Sequence, residues 1–129
     1  MKTIIKVMLA FFVLSMVPTV QAVAQKKWKK QGEFSEGLSR VEDDNGKYGY
    51  IDKTGKLVSP CKWTYAWPFF EGLASVRDSN EKWGFIDKTG KLVIPCKWKY
   101  SMDFRNGLAE VEDDNGVIHK IDKTGKIVK

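Results

Sequence analysis

The sequence predicts an all-β fold in which tandem units of 35 residues form an antiparallel array of β-hairpins. Three observations support this class: an unchanging period, turn motifs that separate strand-like runs, and no long helical periodicity after the first 24 residues. The period is visible in residue series that recur every 35 positions, namely Gly37, Gly72 and Gly107, then Asp52, Asp87 and Asp122, then Phe34, Phe69 and Phe104. A constant period means that each unit packs against its neighbour in the same way, as in repeat proteins.

Residues 1–24 are typical of a secretory signal peptide. Two lysines precede an apolar run over 7–17, and small residues allow cleavage after Ala22 or Ala24. The run is too short to span a bilayer as a helix, although a retained anchor is the alternative. The sequence therefore predicts an exported protein, periplasmic or extracellular, with no stable membrane insertion after cleavage.

The remaining residues, 25–129, have the length of one domain and hold three periods of 35. Removal of the leader takes two lysines and leaves 20 basic and 16 acidic residues, so that the formal charge falls from +6 to +4. A modest excess favours solubility and weak attraction to anionic surfaces, and it gives no reason to expect a nucleic-acid partner.

Two kinds of turn are predicted in each unit. Asp-Lys-Thr-Gly recurs at 52–55, 87–90 and 122–125. Its aspartate can accept backbone hydrogen bonds and its glycine can adopt positive φ, as in a hairpin with a bulge. A second reversal, Asp-Asn-Gly, precedes it at 44–46 and 114–116. Pro60 and Pro95 are predicted to end the strand that leaves the Asp-Lys-Thr-Gly turn.

The pattern F-x-x-G-L-A-x-V followed by W-G-F-I-D-K-T-G-K-L-V-x-P resembles the WG-repeat (KWG) family over nearly all of residues 25–129. The aromatic–glycine pair of the motif falls on Tyr48-Gly49 and Trp83-Gly84, and the Gly-Leu-Ala segment falls on 37–39, 72–74 and 107–109. The resemblance implies a β-rich tandem array, often on exported proteins, without shared catalytic residues.

The third unit departs from this pattern. Ile118-His119 stands where the aromatic–glycine pair belongs, and Lys120 replaces an aromatic residue. A terminal repeat has no successor to cover it, so these residues predict a solvated cap. His119 is the only histidine, and without a repeated partner it is assigned to the cap rather than to metal or acid–base chemistry.

Aromatic residues are the largest apolar side chains available for a core. Phe34, Phe69 and Phe104 are predicted to be buried, as are Tyr48 and Trp83. A second series is flanked by lysines and is the aromatic row most expected at the surface, where rings could stack on sugars: Trp28, Trp63 and Trp98.

Cys61 and Cys96 could form a disulfide, because an exported protein meets oxidising conditions, or they could be two separate buried thiols. A disulfide requires α-carbons within about 7 Å. With about three strands per unit at about 4.8 Å each, equivalent residues should lie further apart. Two buried thiols are therefore favoured, and the disulfide stays open.

Charges are also periodic. Each Asp-Lys-Thr-Gly-Lys segment carries two lysines, which are Lys53 and Lys56, Lys88 and Lys91, and Lys123 and Lys126. Acidic residues at 42–44 and 112–114 occupy the opposite hairpin ends. The pattern predicts a basic edge and an acidic edge. These serve either for docking on an anionic polymer or partner, or to keep strand edges from aggregating.

No catalytic constellation, phosphate-binding loop, cofactor motif or metal-ligand spacing is present in the sequence. We therefore expect a non-catalytic binding or structural module whose partner is a protein or envelope polymer. The alternative is a small lectin-like glycan binder that uses the tryptophan series. An open array is favoured over a closed three-fold ring, trefoil- or propeller-like, in which the segment around Trp28 completes the last unit.

Overall fold

The computed structural model describes residues 27–129, which form three antiparallel sheets of four strands each and contain no helix. The predicted signal peptide over 1–24 lies outside the described residues. Within 27–129 no helical segment has the length and apolar character needed to cross a membrane. The predicted all-β class is confirmed.

Each sheet is a meander in which consecutive strands are neighbours. Sheet 1 contains β1 Lys30–Ser35, β2 Leu38–Glu42, β3 Tyr48–Asp52 and β4 Leu57–Trp63. Sheet 2 contains β5 Tyr65–Ala66, β6 Leu73–Arg77, β7 Trp83–Asp87 and β8 Leu92–Trp98. Sheet 3 contains β9 Tyr100–Ser101, β10 Ala109–Glu112, β11 Ile118–Ile121 and β12 Ile127–Val128.

The Asp-Lys-Thr-Gly turns have the predicted construction. In the first copy, Oδ1 of Asp52 accepts hydrogen bonds from the Thr54 N–H at 2.9 Å, the Thr54 hydroxyl at 2.5 Å and the Lys56 N–H at 3.1 Å. Gly55 has a φ of +89° and donates its N–H to the Asp52 carbonyl at 3.0 Å. The hydroxyl of Thr54 is the main cause that lowers the pKa of Asp52. The other two copies repeat these bonds.

Two details of the predicted strands are wrong. A unit contains four strands rather than about three, because a further strand precedes the other three in each sheet, with six residues in β1 and two in β5 and β9. Pro60 and Pro95 do not end their strands but lie inside β4 and β8. The register shifts where they lie, so that Tyr48 pairs with Trp63 and Tyr50 with Ser59. Each proline is tolerated because its strand is the outermost of the sheet and bulges there.

The sheets stack face to face, and an apolar cluster fills each of the two interfaces. Sheets 1 and 2 enclose Leu38, Tyr50, Trp63, Ala66, Phe69, Ala74, Val76 and Ile86. Sheets 2 and 3 enclose Leu73, Trp83, Phe85, Ile94, Trp98, Phe104, Ala109, Val111 and Ile121. Most members of one cluster lie 35 positions from members of the other. This confirms that neighbouring units pack through equivalent residues. The Tyr50 and Phe69 rings meet edge to face at 4.9 Å between centroids, and Phe85 and Phe104 do so at 4.8 Å.

The stack is open at both ends. Within residues 27–129, β1 pairs only with β2 and β12 only with β11, so the closed-ring alternative is wrong. The predicted burial is confirmed for Phe69 and Phe104, each 1% exposed. It is wrong for Phe34, which is 42% exposed because none of the three sheets covers it. At the other end Ile118 is 58% exposed.

Candidate binding surface and the contacts that position it

The glycine of the aromatic–glycine pair lets the bulged outer strand approach closely, because it has no Cβ. A Cβ on Gly84 would lie 2.4 Å from the carbonyl oxygen of Ile94 and 2.8 Å from the backbone nitrogen of Cys96. The equivalent atom on Gly49 would lie 2.5 Å from the carbonyl oxygen of Ser59. No real Cβ tolerates such distances to backbone atoms, so the bulge and the glycine require each other.

His119 occupies the glycine position of the third unit. β12 pairs with β11 through Ile121–Ile127 and Lys120–Val128, and in the described part of the chain no proline bulge faces His119. Its Nε2 lies 2.8 Å from Oδ2 of Asp113, and this hydrogen bond is the main cause that lowers the pKa of Asp113. The side chain is thus tied to its own hairpin. No group of three or more metal-ligating side chains occurs within residues 27–129.

A ladder of glutamates connects the two-residue turns of successive sheets. The carboxylate of Glu36 accepts the N–H groups of Glu71 at 2.7 Å and Gly72 at 2.9 Å. Glu71 in turn accepts the N–H groups of Asn106 at 2.5 Å and Gly107 at 2.9 Å. The Gly107 bond is the main cause that lowers the pKa of Glu71. Each sheet is therefore hydrogen-bonded to the next outside its apolar core.

Backbone conformation explains why the ladder ends in asparagine. Glu36, Glu71 and Asn106 have φ of 55°, 53° and 54°, in the left-handed region that favours asparagine or glycine over glutamate. Glutamate is retained where its carboxylate binds the next turn, and Asn106 stands where no further turn follows among the described residues. Sequence reasoning missed this role. The available signal was the in-phase recurrence of Glu-Gly, Glu-Gly and Asn-Gly at 36–37, 71–72 and 106–107.

The predicted exposure of the tryptophan series is wrong for two of its members. Trp63 and Trp98 are each 4% exposed and belong to the two core clusters, whereas Trp28 is half-buried. The Nζ atoms of Lys62 and Lys97 lie 4.8 Å and 5.0 Å from the two buried rings. The flanking lysines thus cover these rings instead of marking them as solvent-exposed.

All six lysines of the Asp-Lys-Thr-Gly-Lys segments are exposed. Because β3 and β7 run from the acidic hairpin ends to these turns, the two kinds of turn lie at opposite ends of the strands, as predicted. The basic edge is nevertheless interrupted by the glutamate ladder. Lys88 lies 3.5 Å from Glu36, and Lys123 lies 3.5 Å from Glu71.

Cys61 and Cys96 are not bonded to each other, and both are half-buried rather than buried as the favoured interpretation expected. Cys96 is half-buried, and burial is the main cause that raises the pKa of its thiol to about 11. Its thiolate is scarce at neutral pH, so it is a poor nucleophile.

The sequence model of the family described as "WG containing repeat" matches residues 48–83 and again 83–116. The chain belongs to the WG-repeat family. The two matched segments begin at Tyr48 and Trp83, which are the aromatic residues directly before Gly49 and Gly84. In this WG-repeat protein the conspicuous glycine of the motif is therefore the residue that lets the outer strand bulge.

Two solved structures resemble the WG-repeat fold. The crystal structure of the computationally designed Ika4 protein has a TM-score of 0.51 at 14% identity, over 81% of this chain and 72% of that chain. The crystal structure of the computationally designed Ika8 protein has a TM-score of 0.51 at 13% identity, and the match spans 81% of this chain but 36% of the Ika8 chain. Such identities show the fold alone. No curated protein matches the sequence.

Proposed function

We propose that this WG-repeat protein is an exported, non-catalytic module that binds a protein or an anionic envelope polymer through its turn lysines. The observation that carries the proposal is the repetition of two exposed lysines on each of three stacked sheets. A surface repeated in this way presents several weak contacts to one elongated partner, and linked contacts reinforce one another. The signal peptide predicted over 1–24 supports export.

The structural use of the ionisable groups supports a non-catalytic role. The carboxylates of Asp52, Asp87 and Asp122 are engaged in their own turns, and that of Glu71 holds the next sheet. Their pKa values are lowered, mainly by hydrogen bonds from threonine hydroxyls in the turns and from Gly107 at Glu71. A general acid or base at neutral pH needs the opposite shift.

The lectin-like alternative loses its physical basis, because a ring must be exposed to stack on a sugar. Trp63 and Trp98 offer no free face, since both are core residues. We therefore do not retain that alternative.

The proposal is tested with polyglycerol phosphate as the anionic polymer, immobilised for interferometry at low and high salt. The test variant is Lys53→Ala/Lys91→Ala/Lys126→Ala, which removes from each sheet one turn lysine that forms no ion pair within residues 27–129. A matched control removes the same charge from other exposed positions, namely Lys27→Ala/Lys99→Ala/Lys120→Ala.

We expect salt-sensitive binding that falls at least about tenfold in the test variant and less than about threefold in the control, because only the former removes aligned charges. Equal losses would show a non-specific response to net charge. Absence of binding by the unaltered protein would remove the polymer from the proposal.

A further inference from the structure

The last strand of each sheet, β4, β8 or β12, lies at a sheet edge and combines exposed aliphatic side chains with lysines. We call the surface of these strands the edge-strand surface and define it by residues 56–62, 91–97 and 126–129. Their sequences are KLVSPCK, KLVIPCK and KIVK, which contain six lysines and no acidic residue. Residues 25–129 carry a net charge of +4, so everything outside this surface carries a net charge of −2. The excess positive charge of the processed chain therefore lies here.

The aliphatic part is exposed and periodic. Between 37% and 44% of the surface of each of these side chains is accessible: Leu57, Leu92, Val93, Ile127 and Val128. Singly exposed apolar residues are normal on soluble proteins, but an aligned row usually marks an interaction site. The row lies between lysines: Lys56 directly precedes β4 and Lys62 lies near its end, and Lys91 and Lys97 have the same positions at β8. None of these four lysines forms an ion pair with a residue of the described range.

Contacts between sheets make the three segments continuous. A Cβ on Gly90, in the turn before β8, would lie 2.5 Å from the Val58 carbonyl oxygen of β4. A Cβ on Gly125, in the turn before β12, would lie 3.3 Å from Cγ2 of Ile94 in β8. Each outer strand thus begins against the preceding outer strand, and we call the five exposed aliphatic residues of these strands the stripe.

The acidic residues nearest in sequence are the aspartates of the adjoining turns, Asp52 and Asp87. They attract Lys56 and Lys91, whose charges, after the hydroxyl groups of the turn threonines, are among the causes that lower the pKa values of these aspartates, whereas Lys62 and Lys97 lie toward the opposite ends of β4 and β8. Pairing with an added β-strand explains the surface poorly. Pro60 and Pro95 remove donors from the free edges, and the bulges interrupt their hydrogen-bonding register.

We infer that the edge-strand surface binds the face of an anionic lipid bilayer. The lysine ammonium groups would contact phosphate-bearing headgroups, and the leucine, valine and isoleucine side chains would enter the interfacial layer. The aliphatic stems of the lysines can follow them while the charges stay at headgroup level. Binding is peripheral, which agrees with the expectation of no stable insertion. The inference goes beyond the proposed function, since it assigns the outer strands to a lipid surface rather than to a protein or a polymer.

Vesicle flotation tests the inference on the protein recovered from the exporting cell, with its N-terminus determined by mass spectrometry. Vesicles of phosphatidylcholine and phosphatidylglycerol in equal amounts are compared with pure phosphatidylcholine. All variants share one N-terminus, so any contribution of residual leader cancels, and urea unfolding verifies that each variant is folded.

The apolar test variant is Leu92→Ser/Val93→Ser/Ile127→Ser. Its control, Met102→Ser/Val117→Ser/Ile118→Ser, removes three side chains away from the stripe that are more exposed, at 50–58% against 37–44%. We expect at least about tenfold loss of partitioning in the first and less than about twofold loss in the second, since aliphatic burial drives interfacial binding. A Lys56→Ala/Lys129→Ala variant should lose about fivefold per lysine, since both side chains are exposed and neither covers a core ring.

Polyglycerol phosphate separates the possible outcomes, because it offers phosphate without an apolar layer. The inference is supported when the serine variant loses vesicle binding and keeps polymer binding. Polymer binding without vesicle binding overturns the inference alone, whereas absence of both removes the proposed function as well. Capture of the protein by an immobilised alternating Glu-Val peptide in preference to vesicles would assign the surface to an acidic protein and overturn the lipid assignment.

Discussion

Replacement of Gly84 by alanine tests why the repeat needs its glycine. The added Cβ would lie 2.4 Å from the Ile94 carbonyl oxygen, about 1.0 Å closer than an ordinary contact of 3.4 Å. Gly84 has no positive φ, so this collision with backbone atoms is the whole difficulty. Relief requires β7 and β8 to separate locally or the Pro95 bulge to rearrange.

Overpacking of this kind costs about 1–3 kcal/mol and sometimes more. The loss of unfolded-state freedom on changing glycine to alanine offsets about 0.4–1 kcal/mol of it. We expect a net loss of about 1.3 kcal/mol, which lowers Tm by roughly 5–10 °C for a domain of about 100 residues.

Urea unfolding followed by tryptophan fluorescence measures the loss of stability. Gly32→Ala is the matched control, because its Cβ would meet Cγ of the Arg40 side chain at 3.2 Å rather than backbone. That side chain can move by a few tenths of an ångström, so we expect a change within about 1 kcal/mol. Equal effects at the two glycines would refute the bulge-seating explanation.

Three further predictions concern the ladder, the core and the thiol. The folded-state pKa of Glu71 is lowered from its ordinary value of 4.5, so its carboxylate stabilises the fold above that pH and the contribution disappears as the pH falls through the folded pKa. Glu71→Gln should flatten the fall in urea midpoint from pH 6 to pH 3, and an equal effect of Glu33→Gln would contradict the ladder. Phe104→Ala should cost about 3–5 kcal/mol whereas Phe34→Ala costs under about 1 kcal/mol, since only Phe104 is buried; equal costs in calorimetry would contradict the open end. Cys96 should react with iodoacetamide at pH 8 about a hundredfold more slowly than an unfolded-peptide thiol, because a pKa raised from 9.0 to about 11 leaves that much less thiolate; equal rates count against its burial.

Local features could be predicted from the sequence because their causes lie within a few residues. Asp52 and Gly55 form the expected turn through bonds that span four residues or fewer. The strands are predictable for the same reason, because the turn motifs mark where each strand begins and ends. The exposure of Ile118 and Lys120 also agrees with their replacement of aromatic residues at known repeat positions.

Features that depend on contact between sheets could not be predicted. Trp63 was expected at the surface because the equivalent Trp28 and Trp98 are flanked by lysines, but its ring packs with residues of sheet 2 and Lys62 covers it. Glu36 contacts a turn that is 35 residues away, which no local pattern indicates. Phe34 shares its repeat position with two core residues and is exposed only because the stack stops beside it. The period shows that units pack alike, but not which side chains face the next unit.

The central claim is that three sheets stack in order through equivalent side chains and remain open at the ends. Nuclear Overhauser spectroscopy tests it directly, because ring protons give cross-peaks when they lie within a few ångströms. The structure predicts ring-to-ring cross-peaks for Tyr50 with Phe69 and for Phe85 with Phe104, whose centroids are 4.9 Å and 4.8 Å apart. Absence of both, or cross-peaks that join Phe34 to side chains of β11 or β12, would contradict the open stack.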